Sequence, residues 1–368
     1  MQGNYTFTIV ALGSVALGVL TGVTGTFAVL RKQSLLGDSI AHSALAGIAI
    51  AFMIAGTKNT EVLLLGALVV GLIATFFINN ITKNSRINFE SAMAMVMSSF
   101  FGLGFMLLSQ IQKFADSEQA GLDRFLFGQA ATILERDVYF VLIVTGIILV
   151  LMALLWKEIK IFTFDPIYTH SIGLNTDFLN ICLSSFVVAG IIMGIQMVGV
   201  VLMSALIIAP AVAARQWTKS LFGMTFLAAV IGGISGFGGT YISASISKFP
   251  TGPAIVLIAS IFVLISITFA PGRGIVSKLR RKHQSKQNFE ADMALISLLT
   301  HHLEDASAQF TRDTFQESCI IEHHREGRAF DRLLKNLMSR NMLNLENGVY
   351  WASDDALEQY REKGGYQL

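Results

Sequence analysis

Charged side chains are scarce in this sequence: Asp, Glu, Lys and Arg make up 14% of its 368 residues, whereas about 25% is usual in soluble proteins. Hydrophobic residues reach 53%, and the mean hydropathy is +0.60. This deficit excludes a wholly soluble globular protein and indicates a bilayer around much of the chain. Residues 1–275 are poor in charge and residues 278–368 are rich in it, which predicts a membrane part followed by a soluble part.

Cysteines and nucleotide-binding motifs are also lacking. The two cysteines, Cys182 and Cys319, lie in different parts of the chain, which excludes a disulfide framework. No G-x-x-x-x-G-K-[ST] motif occurs, and the glycine-rich segment IGGISGFGGT has no lysine, so a P-loop is excluded. We therefore expect a chain that is not an enzyme, and any ATP hydrolysis would take place in a separate subunit.

Long apolar stretches recur through the first 275 residues. A spanning helix needs about 20 mainly apolar residues. Candidate stretches lie near residues 6–30, 36–56, 61–81, 91–109, 137–156, 178–196, 198–214, 221–236 and 253–270. The charge-free run 178–214 fits either a hairpin or a bent pair, so we expect about eight spans, within a range of about seven to nine. The first stretch lacks a basic leader and is expected to be a retained helix.

Lysine and arginine occur in alternate loops between these stretches. The loops with this excess are expected to face the cytosol. Their basic residues are Arg31, Lys32, Lys83, Arg86, Lys157, Lys160, Arg215, Lys219 and Arg273. This pattern predicts an N-terminus outside and a tail in the cytosol.

Residues 283–368 have the pattern of a small α/β domain. Asn347-Gly348 lies between two short strand patterns, which is a strong hairpin signal. A last helix is expected from about Asp354. Three helical patterns precede the hairpin, near residues 289–305, 311–324 and 328–340. This order is typical of a winged helix, although we expect no nucleic-acid partner for a domain tethered to a membrane.

One ionisable pair, Asp38 and His42, lies in the second apolar stretch, LLGDSIAHSALAGIAIAF. An aspartate at the centre of a bilayer costs roughly 2.5–3.5 kcal/mol on insertion scales, so such residues usually serve a function. The spacing of four places both side chains on one helical face, and their oxygen and nitrogen ligands suit Mn, Fe or Zn. One pair supplies two ligands, and a two-fold dimer would supply four. In the alternative interpretation, Asp38 caps the helix or pairs with Arg31 or Lys32, and His42 is a satisfied core group.

Two further segments have both a functional and an ordinary interpretation. The amphipathic loop 157–177 fits either a short helix that docks on a cytosolic partner or a solvated connector. Cys319 and His323 are four apart on a predicted helix, which fits either a regulatory metal site or ordinary groups of a small domain.

The motif around Asp38 and His42 resembles the G-D-x-[IV]-x-H signature of the ABC-3 class, the permease subunits of manganese, zinc and iron importers. The resemblance continues through LFG at 126–128, the FDPIYTHSIGL loop, VGVVLMSALIIAPAVAARQW and TYISASISKFPTGPAIVL. It covers about residues 9–275. The resemblance implies an all-α polytopic membrane protein, with a transmembrane permease domain at 1–280. The tail at 283–368 departs from the shortest members and looks like the winged helix of metal-dependent repressors.

The resemblance also implies residue roles. Asp38 and His42 match the residues that bind the transported metal. The segment 165–174 looks like the region that contacts the ATPase, whereas His170 departs from the family pattern and receives no metal role. The residues expected to form this ATPase-coupling loop are Asp165, Pro166, Tyr168 and Gly173.

Partners follow from the same resemblance. They are a cytosolic ATPase dimer, an extracytoplasmic metal-binding protein, membrane lipid, and a second permease copy, either identical or paralogous. The implied location is the bacterial cytoplasmic membrane, with no permanent cofactor and with manganese favoured over zinc or iron as cargo. The alternative is a stand-alone secondary transporter or channel with a metal-sensing tail. Such proteins usually have more intramembrane charge or inverted repeats, and neither is evident in the sequence.

Overall fold

The computed structural model describes residues 2–56, 59–113, 135–246, 249–302, 309–311, 313, 328–346 and 349–353. The chain divides into two compact units, Met1–Gly274 and Ile275–Leu368. The first unit is helical throughout its described residues, and the second combines helices with a small sheet.

Eleven helices form the described part of the first unit. They are α1 (Gln2–Leu30), α2 (Leu36–Ala55), α3 (Thr60–Asn84), α4 (Phe89–Lys113), α5 (Glu135–Leu154), α6 (Trp156–Phe164), α7 (Pro166–Ser171), α8 (Thr176–Val198), α9 (Val200–Trp217), α10 (Leu221–Ser245) and α11 (Thr251–Phe269). Within the described ranges, 9 helices are long and apolar enough to cross a membrane, namely all except α6 and α7. The polytopic helical fold expected from the sequence is confirmed, with one candidate span more than the expected eight.

The additional span comes from the charge-free run near 178–214, which forms the two helices α8 and α9. Only Gly199 separates them, with φ 92° and ψ 160°, a backbone conformation that residues with a Cβ rarely adopt. The chain reverses here, because a Cβ on Gly194 would meet the side chain of Met203. Nine residues of straight helix would separate these two positions by about 13 Å. The run is therefore a hairpin and not a bent pair.

Glycine sets the distance between α1 and α10, which pack against each other along their length. Gly18 and Gly232 face each other so closely that a Cβ on either one would overlap the carbonyl oxygen of the other. A Cβ on Gly236 would likewise overlap the carbonyl oxygen of Ser14. Small residues permit such close backbone approach, which membrane helices use because lipid provides no hydrophobic drive for their association.

Several of the basic loops come together at one end of the first unit. Lys83, at the end of α3, pairs with Asp177 at the start of α8, with 3.1 Å between Nζ and Oδ2. Arg273 Nη1 donates to the backbone carbonyl of Arg215 at 2.7 Å. At the opposite end of the unit, where α3 and α5 begin, Glu61 forms an ion pair with Arg136.

An N-terminus and a tail on opposite faces of a membrane require an odd number of crossings. The expected count of eight would place both on one face, so it conflicts with the orientation that the basic loops predict. The hairpin at Gly199 removes this conflict by raising the count to 9 candidate spans in the described residues.

The second unit has a long helix, a second helix and a three-stranded antiparallel sheet among its described residues. Its elements are α12 (Ile275–His302), β1 (Gln309–Thr311), α13 (Arg328–Ser339), β2 (Leu343–Glu346) and β3 (Val349–Ala352). The strand order is β1-β3-β2, with Leu343 opposite Ala352 and Gln309 opposite Trp351. Arg340 Nη1 lies 2.6 Å from Asp292 Oδ1 and ties the end of α13 to α12.

The second unit differs from the sequence-based expectation at two places. The first helix begins at Ile275, not near 289, and residues 309–311 form a strand where a helix was expected to begin. This strand is three residues long, too short to produce a recognisable alternation in the sequence. The helix at 328–339 and the strands on either side of residues 347–348 are present as expected. The winged helix as a whole stays a prediction, since the expected helices near 311–324 and after Asp354 lie mostly outside the described residues.

Candidate functional site

The start of α2 positions Asp38 and His42. Residues 31–35 link α1 to α2, and Leu35 occupies the N-cap position without a side-chain cap. Asp38 lies in the first turn, where the positive end of the helix dipole favours a carboxylate. The neighbouring Ser39 Oγ donates to the backbone carbonyl of Met93 at 3.2 Å, so this turn of α2 is fixed against α4.

The two functional groups lie close together, with 3.5 Å between His42 Nε2 and Asp38 Oδ1. This separation is longer than a normal hydrogen bond of about 2.7–3.2 Å. Two ligands of a tetrahedral metal ion, each bonded at about 2.1 Å, lie about 3.4 Å apart. The pair therefore already has the spacing that two atoms need to share one ion. The side chains of His42 and Asp38 are 25% and 38% exposed, so an ion can reach them from the surface of the chain.

The His42 ring is held by an aromatic contact that the sequence does not reveal. Phe101, on α4, meets it edge to face with 5.1 Å between ring centroids. His42 Nδ1 is buried and has no hydrogen-bond partner among the described residues. The ring is thus oriented by packing, and Nε2 is the nitrogen directed at Asp38. His42 and Phe101 are far apart in sequence, so no local sequence pattern predicts this contact.

The structure disfavours two versions of the alternative interpretation of Asp38. The N-cap position belongs to Leu35, so Asp38 does not cap the helix. Arg31 is engaged elsewhere: its Nη2 donates to Asn180 Oδ1 at 2.8 Å, and its guanidinium lies 4.6 Å from the centroid of the Phe162 ring.

A cavity of about 370 Å³ lies at the base of α2. It begins close to Asp38, because Ser34 and Leu35 line it just before the helix and Met93 lines it beside Ser39. The lining also brings together charges of both signs. The lining residues with charged side chains are Lys32, Glu90 and Arg215. The cavity thus extends from the start of α2 toward Arg215, and its lining mixes apolar side chains with these three charged ones.

The segment at 165–174 forms a capped helix with an exposed apolar surface. Asp165 Oδ1 accepts a hydrogen bond from the Tyr168 backbone N–H at 2.8 Å, and Pro166 occupies the first turn of α7. Gly173, with φ 85°, follows the helix. Ile167 and Tyr168 are 84% and 54% exposed, which is typical of an interaction site when such residues are adjacent.

Helix α6 ties this segment to the rest of the unit. Trp156 packs edge to face against Phe27 of α1 and Phe222 of α10, each with 6.0 Å between ring centroids. Phe162 lies under the Arg31 guanidinium at the end of α1. The loop expected at 157–177 is therefore mostly two helices, and α6 is docked on α1.

Two other candidate metal ligands cannot be compared with this pair. Cys319 and His323 lie outside the described residues. Searching the described ranges finds no group of three or more His, Cys, Asp or Glu side chains that could hold a metal ion. Asp38 and His42 offer two potential ligands from one chain, so an ion bound between them would need further donors from elsewhere.

Several known membrane transport proteins are similar to this chain in sequence. The zinc transport system membrane protein TroC of Treponema pallidum is 44% identical over 281 residues, which cover 76% of this chain and 94% of that protein. The manganese transport system membrane protein MntC of Bacillus subtilis is 39% identical over 289 residues, covering 78% of this chain and 66% of that protein.

A solved structure gives the same result for the fold. PsaBC from Streptococcus pneumoniae, in complex with Fab, matches with a TM-score of 0.64 and 30% identity, covering 72% of this chain and 92% of the matched chain. The model of the ABC 3 transport family matches residues 4–270, nearly the whole first unit with the Asp38–His42 pair and α7 inside it. This chain therefore belongs to the ABC 3 transport family.

Proposed function

We propose that this chain is the membrane permease subunit of an ATP-driven importer for manganese or zinc in a bacterial cytoplasmic membrane. The family match, the relatives named as manganese and zinc transport proteins, and the 9 candidate spans in the described residues support this function. The lack of a P-loop agrees with ATP hydrolysis in a separate subunit.

The observation that carries the proposal is the geometry of Asp38 and His42. Their ligand atoms are 3.5 Å apart, and a mixed oxygen and nitrogen pair suits divalent Mn and Zn. Both side chains are partly exposed, so a second permease copy can present its own pair across a two-fold axis. Four ligands then surround an ion that each chain alone holds with two, and weak binding by one chain favours release.

The exposed face of α7 is the proposed contact with a cytosolic ATPase dimer. Asp165, Pro166 and Gly173 shape this segment, and Ile167 and Tyr168 offer the apolar surface. An extracytoplasmic binding protein delivers the metal at the opposite end of the bundle. ATP binding moves α6 and α7, the ion leaves Asp38 and His42, and the cavity at the base of α2 receives it.

The second unit is proposed to be a cytosolic regulatory domain. Its described helices and three-stranded antiparallel sheet are compatible with a winged helix. Cys319 and His323 are the proposed ligands of a regulatory metal, because a spacing of four on a helix brings two such side chains together. Contact with another subunit is the role that remains if no metal binds there.

The central proposal is tested by replacing the pair. Asp38→Ala and His42→Ala are each expected to abolish most uptake of radioactive manganese or zinc by cells that express the full transporter. Each change removes one of the two ligands that each chain contributes to the proposed site. The matched control is Asp177→Ala, which removes a carboxylate from an exposed ion pair.

Uptake by the control variant is expected to stay near the level of the unmodified protein. Wild-type uptake rates in Asp38→Ala and His42→Ala, at equal protein levels, would rule out a role for the pair in metal passage. Uptake that persists without the ATPase would instead favour a stand-alone transporter.

A further inference from the structure

Arg31 stands at the junction of three elements. It directly follows α1, its Nη2 donates to Asn180 of α8 at 2.8 Å, and its guanidinium covers the Phe162 ring of α6 at 4.6 Å. Burial lowers the pKa of Arg31 to about 10, so the side chain stays protonated at neutral pH. A partly buried positive charge thus lies between the end of α1 and the helix that precedes the proposed coupling segment.

Two buried polar atoms near this junction have no hydrogen-bond partner among the described residues. One is Arg31 Nη1, and the other is Glu158 Oε2 on α6. Buried groups of this kind are normally satisfied, and charged ones are the most costly to leave unpaired. These two atoms have complementary charge and donor–acceptor character, yet they do not pair with each other in this conformation.

Helix periodicity places Glu158 on the same face of α6 as the ring that Arg31 covers. Glu158 and Phe162 are four residues apart on α6, so they share one face of that helix, with Cβ atoms about 5–6 Å apart. The Arg31 guanidinium lies on the Phe162 ring, and Glu158 precedes Phe162 by four residues, which is about 6 Å along the axis of α6. A shift of α6 by up to one turn brings carboxylate and guanidinium together, a movement within the range of known switching transitions.

The connections of these residues place them between the ATPase face and the metal pair. Helix α6 leads into α7 through Asp165, and Arg31 leads into α2 through residues 32–35. Asp38 follows Arg31 by seven positions in the sequence. A change in the contact between Arg31 and α6 therefore acts directly on the segment that positions Asp38.

We propose that Arg31 and Glu158 form an ion pair in a second conformation of the transport cycle. The exchange of the Phe162 contact for the Glu158 contact transmits movement of α6 and α7 to the segment before α2. Both are positioning residues, since neither contacts the ion. This inference rests on the proposed transport function.

The first test measures metal uptake and ATP hydrolysis together in proteoliposomes that contain the whole transporter. Glu158→Gln keeps the size of the side chain but removes its charge. It is expected to lower the metal ions transported per ATP hydrolysed by about fivefold or more. The charge exchange Arg31→Glu with Glu158→Arg is expected to recover part of that ratio. Lys83→Gln is the matched control, since it breaks an exposed ion pair at the same end of the unit.

An unchanged ratio in Glu158→Gln would overturn the inference, because an unpaired carboxylate without a partner state has no influence on coupling. Absence of ATP-dependent metal uptake in the unmodified transporter would overturn the proposed function and this inference with it. Normal uptake in the unmodified transporter together with an unchanged ratio in the variant overturns the inference alone.

A second measurement does not depend on the activity of a variant. Arg31→Cys and Glu158→Cys are combined in a background that lacks both native cysteines, Cys182→Ser with Cys319→Ser, and disulfide formation is followed with and without trapped nucleotide. Cross-linking is expected to rise several-fold in one of the two states, because the pair closes in only one conformation. Equal cross-linking in both states would overturn the inference.

Discussion

At the scale of single residues, the metal pair depends on one local and one distant relationship. The spacing of four between Asp38 and His42 is local, so the sequence predicts correctly that both lie on one face of α2. The orientation of the His42 ring comes from Phe101 on another helix. Packing of this kind reduces the number of rotamers open to the imidazole, so in the proposed metal site Nε2 would already have the orientation that binding requires.

Replacing Phe101 tests this preparation. Phe101→Leu removes the aromatic contact, which is worth about 0.5–1.5 kcal/mol, so we expect the KM for metal uptake to rise by about twofold to tenfold. Phe105→Leu is the control, because Phe105 lies one turn farther along α4 and packs on Phe101. Equal KM values for the two variants in a cell-based uptake assay would show that the His42 ring needs no such support.

The partners of charged residues are a feature that the sequence alone does not predict. Arg31 is close to Asp38 in sequence, and pairing between them is a reasonable expectation. In the folded chain Arg31 turns to Asn180 and Phe162, which are more than a hundred positions away. A local pattern cannot reveal a partner that only tertiary packing brings near. The same reason hides the two unpaired atoms on Arg31 and Glu158.

At the scale of helices, the glycine content of the sequence predicts close helix packing but does not identify which glycines contact each other. The sequence shows many glycines in α1 and α10, and small residues predict close helix contacts. Only the fold shows that Gly18 faces Gly232. The hairpin of α8 and α9 was equally undecided, since a charge-free run contains no boundary signal apart from Gly199.

The close contact between α1 and α10 predicts that a larger residue at this interface lowers the stability of the protein. Gly232→Ala places a methyl group against the backbone of Gly18, and neither helix can relieve this overlap by rotating a side chain. Overpacking of this kind costs about 1–3 kcal/mol, so the Tm of the purified protein in detergent is expected to fall by several degrees. Gly146→Ala is the control, because no atom lies within 4 Å of its added Cβ in the described chain. Identical Tm values would contradict the packing described.

At the scale of the whole molecule, the two units differ in what the sequence reveals. The permease unit was predictable from apolar length and motifs, because a bilayer imposes a strong and simple pattern. The second unit was predicted less well. Its first helix begins at Ile275, and β1 is a three-residue strand that gains its identity by pairing with β3.

Removal of the second unit tests its role. A chain that ends after Lys282 keeps Arg273 and its hydrogen bond to the Arg215 carbonyl, together with the basic residues that follow the last span. We expect this truncated subunit to assemble and to transport metal, but to lose inhibition by metal accumulated in the cell. Assembly is measured by co-purification with the ATPase, and inhibition by uptake after preloading. Loss of assembly would show that the tail holds the complex together.

The reversal at Gly199 has a consequence for control of the transporter. Without it, α8 and α9 would count as one crossing, and the tail would face the compartment from which metal is supplied. With the reversal, and with the orientation that the basic loops predict, the second unit of the proposed importer faces the compartment that receives the metal. A metal sensor in the tail then responds to the metal that transport has already accumulated, which is the arrangement that negative feedback requires. In this topology, the backbone conformation of Gly199 therefore determines which side of the membrane the tail faces.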